Sequence, residues 1–229
     1  MLEGVLKHCK DILFPVFCVE CGGEGEWWCE KCLGKKKVQP MHWCPGCANE
    51  VAAGKRCEAC KAVAYLDGVT ALFNYEEGTP VAKLIHHFKY RYVREIGEIW
   101  RNLLTSIPSL GAIIPIPLHP RRERERGFNQ AKLLAEILSD ELKIAGHSAA
   151  IDDDNLVRKR FTRQQARLSK EERLENVTDA FIWRGQSPAP RLALLVDDVY
   201  TTGATMQECA RVLKQHGTER VWGFVLGRG

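Results

Sequence analysis

The chain has 229 residues, with 33 Lys and Arg against 29 Asp and Glu for a formal net charge of +4, and it is 45% hydrophobic and 27% charged. Those proportions fit one large globular domain, or a medium domain with a small appendage, and they exclude collagen-like and disordered chains. No uninterrupted apolar run approaches the ~18 residues of a membrane span, so no membrane insertion is expected, and so mild a charge does not by itself call for nucleic acid. The opening stretch MLEGVLKHCKDILF is amphipathic. Glu3, Lys7, Lys10 and Asp11 interrupt what would be the apolar core of a secretory signal, so a cytoplasmic protein is expected.

Cysteine spacing dominates the next stretch. Eight of the ten cysteines form four CxxC pairs within 43 residues: Cys18 and Cys21, Cys29 and Cys32, Cys44 and Cys47, Cys57 and Cys60. Two intervening residues let a tight turn aim both thiolates at one ion, and two such knuckles complete a tetrahedral zinc site. A disulfide framework needs an oxidising compartment, and a thioredoxin-like redox motif carries a single CxxC, so both fit less well. CVECG and CPGCA resemble each other as opening knuckles, and CEKC and CEAC as closing ones. This internal repeat predicts two serial ribbons over residues 14–62, each closed around one structural Zn²⁺; a crossed pairing of the first knuckle with the third is the alternative. Neither site keeps a ligand position for water, so no catalysis is expected at the metal. Cys9 receives no role. Cys209 shares helical spacing with Met206, Ala210 and Leu213 and is expected in a buried helix face.

Strands and helices then alternate over 65–229. Val69, Ala71, Phe73 and Tyr75 alternate as a strand. Thr79-Pro80 starts a helix bearing Val81, Leu84, Ile85 and Phe88, and a second helix carries Val93, Ile96, Trp100, Leu103 and Leu104. Ala112 to Ile116 reads as a short apolar strand ended by Pro115 and Pro117, and Asn129 as the cap of a helix with Leu134, Ile137, Leu138 and Leu142, ended by Gly146. Residues 155–176 hold seven Lys and Arg against three Glu, which predicts a mobile polar excursion outside the core. Leu192 to Val196 reads as a strand buried on both faces, followed by a turn, a helix to about Gln215 and a last strand over Val221 to Leu226. The fold class is therefore α/β with a largely parallel sheet and helices on both faces, preceded by the small zinc ribbons. In such sheets ligands gather at the carboxyl ends of strands, which directs attention to the segments after Ile116 and Val196.

The second of these reads Val196-Asp-Asp-Val-Tyr-Thr-Thr-Gly-Ala-Thr205. Paired carboxylates at a strand end accept hydrogen bonds from ribose hydroxyls or approach Mg²⁺ through water. A helix opening at Thr201–Thr205 offers unpaired N–H groups and threonine hydroxyls to a phosphate, and Gly203 lets the backbone come close. No GxxxxGK[ST], GxSxG or HExxH occurs in the chain, which removes the ATPase, serine-hydrolase and zincin readings.

VDDVYTTGAT resembles the phosphoribosyl-pyrophosphate (PRPP) motif of type I phosphoribosyltransferases. With IPLHPRRERERGFNQA at 116–131, Thr162, Gln165, Arg173 and Asn176 in the excursion, YRYVREIGEIW at 90–100 and FPVFCVECG beside the cysteines, nearly the whole chain resembles the ComF family of bacterial cytoplasmic proteins, linked to DNA uptake in natural competence. The resemblance implies a phosphoribosyltransferase-like domain over 65–229. Asp197 and Asp198 would hold the ribose hydroxyls of PRPP, and Thr201, Thr202, Gly203, Ala204 and Thr205 its 5′-phosphate. Leu118, His119 and Arg121 would face the pyrophosphate, with Arg160 and Arg163 on a flexible lid and Mg²⁺ accompanying the ligand. Pro117 and Pro120 lack the N–H groups such a loop uses, so PRPP binding is expected ahead of turnover by an active phosphoribosyltransferase with an unknown acceptor.

Two basic stretches suit single-stranded DNA. Residues 84–94 interleave His, Lys, Arg and aromatic side chains, with Lys89, Arg91 and Arg94 as contacts, and Arg121, Arg122 and Arg124 cluster farther on. The bland readings are an amphipathic helix with a solvated face and a pyrophosphate-facing loop. A DNA-translocation or competence protein docking on the ribbons is the other partner expected. His86, His87 and His119 are isolated and read as structural.

Overall fold

The computed structural model describes residues 15–36, 40–51, 56–90, 94–103, 111–161 and 176–229. The two cysteine-rich units repeat one plan. In the first, Phe17 bridges Glu24 across the Cys18–Cys21 knuckle, and the one-turn helix α1 (Glu30–Leu33) carries Cys32. In the second, Trp43 bridges Glu50 across the Cys44–Cys47 knuckle, and a 3₁₀ turn over Glu58–Cys60 carries Cys60.

Strand β1 (Met41–Trp43) leads into that second knuckle and pairs antiparallel with β2 (Gly68–Asn74), matching Met41 with Ala71 and Trp43 with Val69. The remaining pairs of the sheet are parallel: β3 (Ala112–Pro115), β4 (Ala150–Ile151), β7 (Leu192–Tyr200) and β8 (Arg220–Arg228) complete a six-stranded order β1-β2-β8-β7-β3-β4. Two hydrophobic layers sandwich it. Leu194 and Val196 of β7 face one layer and Ala193 and Leu195 the other, which explains the unbroken apolar run: each side of that strand is covered.

The first layer is supplied by α2 (Pro80–Tyr90), α3 (Arg94–Leu103) and α5 (Gln130–Ile144). Thr79 Oγ1 caps α2 by accepting from Ala82 N–H at 3.2 Å. Leu134, Leu138 and Leu142 recur at i, i+4 and i+8 on α5 and are buried; each contributes roughly 2 kcal/mol by leaving water. Helix α6 (Ala204–Gln215) covers the opposite face, with Met206, Cys209, Ala210 and Leu213 buried as their spacing predicts. Beside it lies a two-stranded antiparallel hairpin, β5 (Leu156–Arg158) with β6 (Phe181–Trp183).

Two expectations need correction. The start of the 155–176 excursion is ordered core: Leu156 is buried, and Arg158 is buried with its guanidinium 5.2 Å above the Phe181 ring. Pairing with β6 and stacking on an aromatic face outweigh the polar composition. Residues 162–175, the rest of that excursion, lie outside the described residues. Likewise, β7 does not end at Val196. Its ladder with β8 continues through Val199–Gly227 and Tyr200–Arg228, so Asp197 and Asp198 sit within the strand and the turn comes at Thr201–Gly203. Backbone pairing to a long neighbour overrides the low strand preference of two aspartates.

The order also locates a crevice. From β3 the chain passes through the short helix α4 (Pro120–Arg126) and α5 to β4 on one side, and it later returns through β7 on the other side of β3. The carboxyl ends of β3 and β7 therefore flank the point where the winding reverses, the usual place for a ligand in such sheets.

Candidate functional site

Both cysteine clusters assemble serially. Cys18, Cys21, Cys29 and Cys32 bring their ligand atoms within 4.8 Å of one another, as do Cys44, Cys47, Cys57 and Cys60; the crossed pairing is not formed. The Cys21–Cys29 and Cys47–Cys57 sulfurs are 3.7 Å apart and the Cys44–Cys57 pair 3.5 Å. Four bonds of about 2.3 Å to a tetrahedral zinc would set sulfurs about 3.8 Å apart, so the donor sets fit that ion. Amide donors complete the arrangement: Cys29 N–H points at Cys18 Sγ and Gly23 N–H at Cys21 Sγ, both at 3.4 Å. Burial opposes ionisation of Cys18, yet amides of Cys21, Cys29 and Glu20 overcome it and bring its pKa to about 6. Cys44 behaves the same way: burial is outweighed by amides of Cys47, Cys57 and Gly46, with the same result of about 6. The fourth thiol of each set moves the other way: hydrogen bonding with Cys29, then burial, pushes Cys32 up to about 12, and hydrogen bonding with Cys57, then burial, does the same for Cys60, so each set holds its negative charge on the first sulfur until a cation draws the rest out.

The second centre lies at the ends of β3 and β7. Asp198 is buried; its Oδ1 pairs with Lys89 Nζ of α2 at 3.2 Å, and its N–H donates to Asp197 Oδ1 at 2.8 Å. Asp198 Oδ2 is buried and accepts from no group among the described residues. Burial, then the neighbouring Asp198 charge, pushes the Asp197 carboxyl up to about 7. Lys89 is desolvated too, but Asp198 and Asp197 more than compensate and raise its pKa. A buried acceptor with no donor costs free energy unless a ligand or water supplies one.

Immediately beyond β7, Gly203 adopts φ +74° and caps α6. A Cβ there would lie 2.1 Å from the Tyr200 phenol oxygen, so only glycine fits. Thr202 Oγ1 accepts from Ala204 N–H at 3.4 Å, and Thr201 and Thr205 flank the same turn. The positive end of the α6 dipole thus faces the crevice.

Across the crevice, Leu118 and His119 follow β3. His119 Nδ1 accepts from Arg121 N–H at 3.2 Å and so caps α4, while its ring meets Phe161 edge-on at 5.2 Å. Arg121 and Arg122 stack on the same ring, 4.9 and 5.8 Å from its centroid, and Arg124 is exposed nearby on α4. Asn129 joins this loop to α5: its side chain donates to Ile116 O at 3.1 Å and accepts from Ala131 N–H at 3.0 Å.

Arg160 serves a local task, donating to Asn176 O at 3.1 Å and Thr178 O at 2.7 Å, which clasps the two ends of the excursion together. Arg163 and Arg91 lie outside the described residues, and Arg94 opens α3. Lys89, expected from sequence on a nucleic-acid face, turns instead toward the carboxylate pair. Its position offered a signal: it follows Ile85 by four residues and Phe88 by one, on the edge of the buried stripe. The buried Arg158, near Asp197 and Arg122, was also not anticipated; burial, then the Arg122 charge, lowers its pKa.

No family model matches the chain. It is 31% identical over 235 residues to Competence protein F of Haemophilus influenzae, covering 92% of this chain and 97% of that protein. To Competence protein ComFC of Bacillus subtilis it is 30% identical over 200 residues, covering 82% and 78%. To the DNA utilization protein YhgH of Escherichia coli K12 it is 34% identical over 160 residues, covering 65% and 67%. Similarity at this level, running almost end to end in the first of these pairs, joins the knuckles and the aspartate-bearing strand in one lineage: the chain belongs to the ComF family.

Proposed function

We propose that the protein binds PRPP, accompanied by Mg²⁺, in the crevice between the ends of β3 and β7, and that it serves DNA uptake through contacts with single-stranded DNA or a translocation partner. The relatives named for competence and DNA utilization support the second half. The observation that carries the first half is the buried Oδ2 of Asp198, which accepts from no group among the described residues, beside a helix N-terminus at the reversal of the sheet. Ribose hydroxyls would donate to Asp197 and Asp198, with Lys89 balancing their charge. The 5′-phosphate would meet Thr201, Thr202, Gly203, Ala204 and Thr205, and the pyrophosphate would face Leu118, His119 and Arg121. The units over 14–62 and 65–229 would then divide the work between metal-held docking and ligand binding.

Calorimetric titration of PRPP with Mg²⁺ tests the pocket. Asp198→Asn should weaken binding roughly 10- to 100-fold, the range for lost hydrogen bonds to a charged group. Absence of binding to folded, zinc-loaded wild type would end the reading. Asp197 ionises near neutrality, so affinity should rise between about pH 6 and 8 as the carboxylate gains a second acceptor, and Asp197→Asn should flatten that rise. For the nucleic-acid half, Arg121 and Arg122 gathered on the half-exposed Phe161 ring, with Arg124 beside them, form a cationic aromatic surface. Neutralising all three should weaken single-stranded DNA binding and reduce its salt slope; an unchanged slope would remove this patch from the interface. Pyrophosphate release across a panel of bases and amines would reveal turnover.

A further inference from the structure

The second knuckle and the turn after β7 meet at one carbonyl. Pro45 O accepts from the Tyr200 phenol and from Gln207 Nε2, each at 3.3 Å. The other end of the Gln207 amide, Oε1, accepts from Tyr65 N–H at 2.9 Å and Leu66 N–H at 3.1 Å. One side chain from the first turns of α6 therefore spans from the knuckle to the segment leading into β2. Tyr200 acts in two directions. Its phenol reaches the knuckle, and its ring fills the space that a Cβ on Gly203 would need. A parallel tie lies one strand away: the Arg228 guanidinium sits 3.9 Å over the Trp43 ring and donates to Ala48 O at 3.3 Å. Arg228 is also the cross-strand partner of Tyr200.

Pro45 O holds its place because Cys44 and Cys47 on either side are drawn to one ion. Gly46 fits only without a side chain, since a Cβ would come within 2.7 Å of Cys60 Cβ and Sγ, so the knuckle packs directly on its fourth ligand. With the ion gone, four thiols have no reason to converge, and the shared acceptor loses its fixed position. The first cluster makes different contacts, toward Phe73 and His87 on the opposite layer of the sheet.

We propose that Tyr200 and Gln207 are positioning residues that hang the Thr201–Thr205 turn on the second zinc knuckle, so that metal in that cluster, and not in the first, sets the turn's affinity for a phosphate ligand. This rests on the PRPP reading for the identity of the ligand, but not for the mechanical tie. Metal loss at the second cluster would then lower ligand affinity before it unfolds the sheet.

The test uses the full chain loaded with zinc, in wild type, Tyr200→Phe, Gln207→Glu, Cys47→Ser and Cys21→Ser. Two readouts are taken: amide hydrogen exchange over residues 202–205, and PRPP–Mg²⁺ affinity by calorimetry. Gln207→Glu keeps the acceptor for Tyr65 and Leu66 and sets a charged carboxylate oxygen against Pro45 O in place of the donor, so the uncharged Tyr200→Phe beside it separates loss of the tie from added charge. Tyr200→Phe and Gln207→Glu should each weaken PRPP roughly 2- to 10-fold, as loss of one hydrogen bond does, and speed exchange over 202–205 at full zinc content. Cys47→Ser should do the same or more, whereas Cys21→Ser should leave 202–205 protected relative to the rest of the chain. Wild-type exchange and affinity in both Tyr200→Phe and Gln207→Glu would overturn the proposal, as would equal loosening by Cys21→Ser and Cys47→Ser. Faster exchange in these variants of a wild type that ignores PRPP would uphold the tie and overturn the choice of ligand.

Discussion

The two cysteine clusters share ligand spacing and local plan but are fastened to the sheet by different forces. The first is embedded in apolar contacts: Cys18, Cys32 and Trp28 belong to the same buried layer as Phe88 and Trp100, and Trp28 packs on Phe73 with ring centroids 5.9 Å apart. The second is tied by directional contacts, through the β1–β2 ladder, Pro45 O with Tyr200 and Gln207, and Arg228 over Trp43. Apolar burial is non-directional and tolerates small displacements, while hydrogen bonds weaken steeply once misaligned. One ribbon is thus held by apolar burial and the other by hydrogen bonds to the turn after β7 and to α6.

Removing the metal should break this comparison most severely. Metal analysis of reduced protein should find close to two zinc per chain, matching the two clusters. Chelation should unfold both ribbons, since segments this short have little core of their own. Next in size, Trp28→Ala should cost roughly 3–5 kcal/mol, lowering the melting temperature by about 10 °C in thermal scans, while PRPP affinity per folded molecule holds. Loss of affinity in that variant would show that the first cluster also reaches the crevice.

A smaller effect of opposite sign is expected at Asp197. Its folded pKa stands above the ordinary carboxylate value, so the native state holds its proton more tightly than the unfolded chain. Stability therefore falls as pH rises from about 4 to about 7 and stays reduced above that. Asp197→Asn should raise the melting temperature by a few degrees at about pH 8 and change it little at about pH 4, the pattern of a site that trades stability for binding. Smallest of all, Lys36→Ala, which removes the exposed ion pair with Glu20 at 3.1 Å in the first ribbon, should shift stability by no more than about 0.5 kcal/mol.

Much of this architecture was legible because its signals are local. CxxC spacing and the resemblance between the two knuckle pairs specified the serial clusters, and helical period located Phe88, Leu138 and Cys209 in the core. The acid pair and glycine turn were visible as a motif, but not the way β7 carries both aspartates inside its ladder. What escaped depends on which distant segments meet. Met41-His42-Trp43 has no alternation to mark it; it becomes β1 only because the β2 edge accepts it. Arg158 stands in a cationic stretch, and its burial follows from pairing with Phe181, on a strand that comes only after the whole excursion. Tyr200 and Gln207 reveal nothing alone, since their shared acceptor lies more than 150 residues earlier.

The placement of β1 has a consequence for the protein's fate without metal. β2 is a seven-residue, largely buried strand whose outer edge, among the described residues, is covered by three residues contributed by the second ribbon. When the knuckle slackens, that cover should be the first part of the sheet to lift, baring unpaired amides and carbonyls along Gly68–Asn74. An uncovered apolar edge pairs readily with the same edge of another copy. Zinc starvation should therefore show itself as self-association, making the ion a guard of colloidal behaviour as well as of shape.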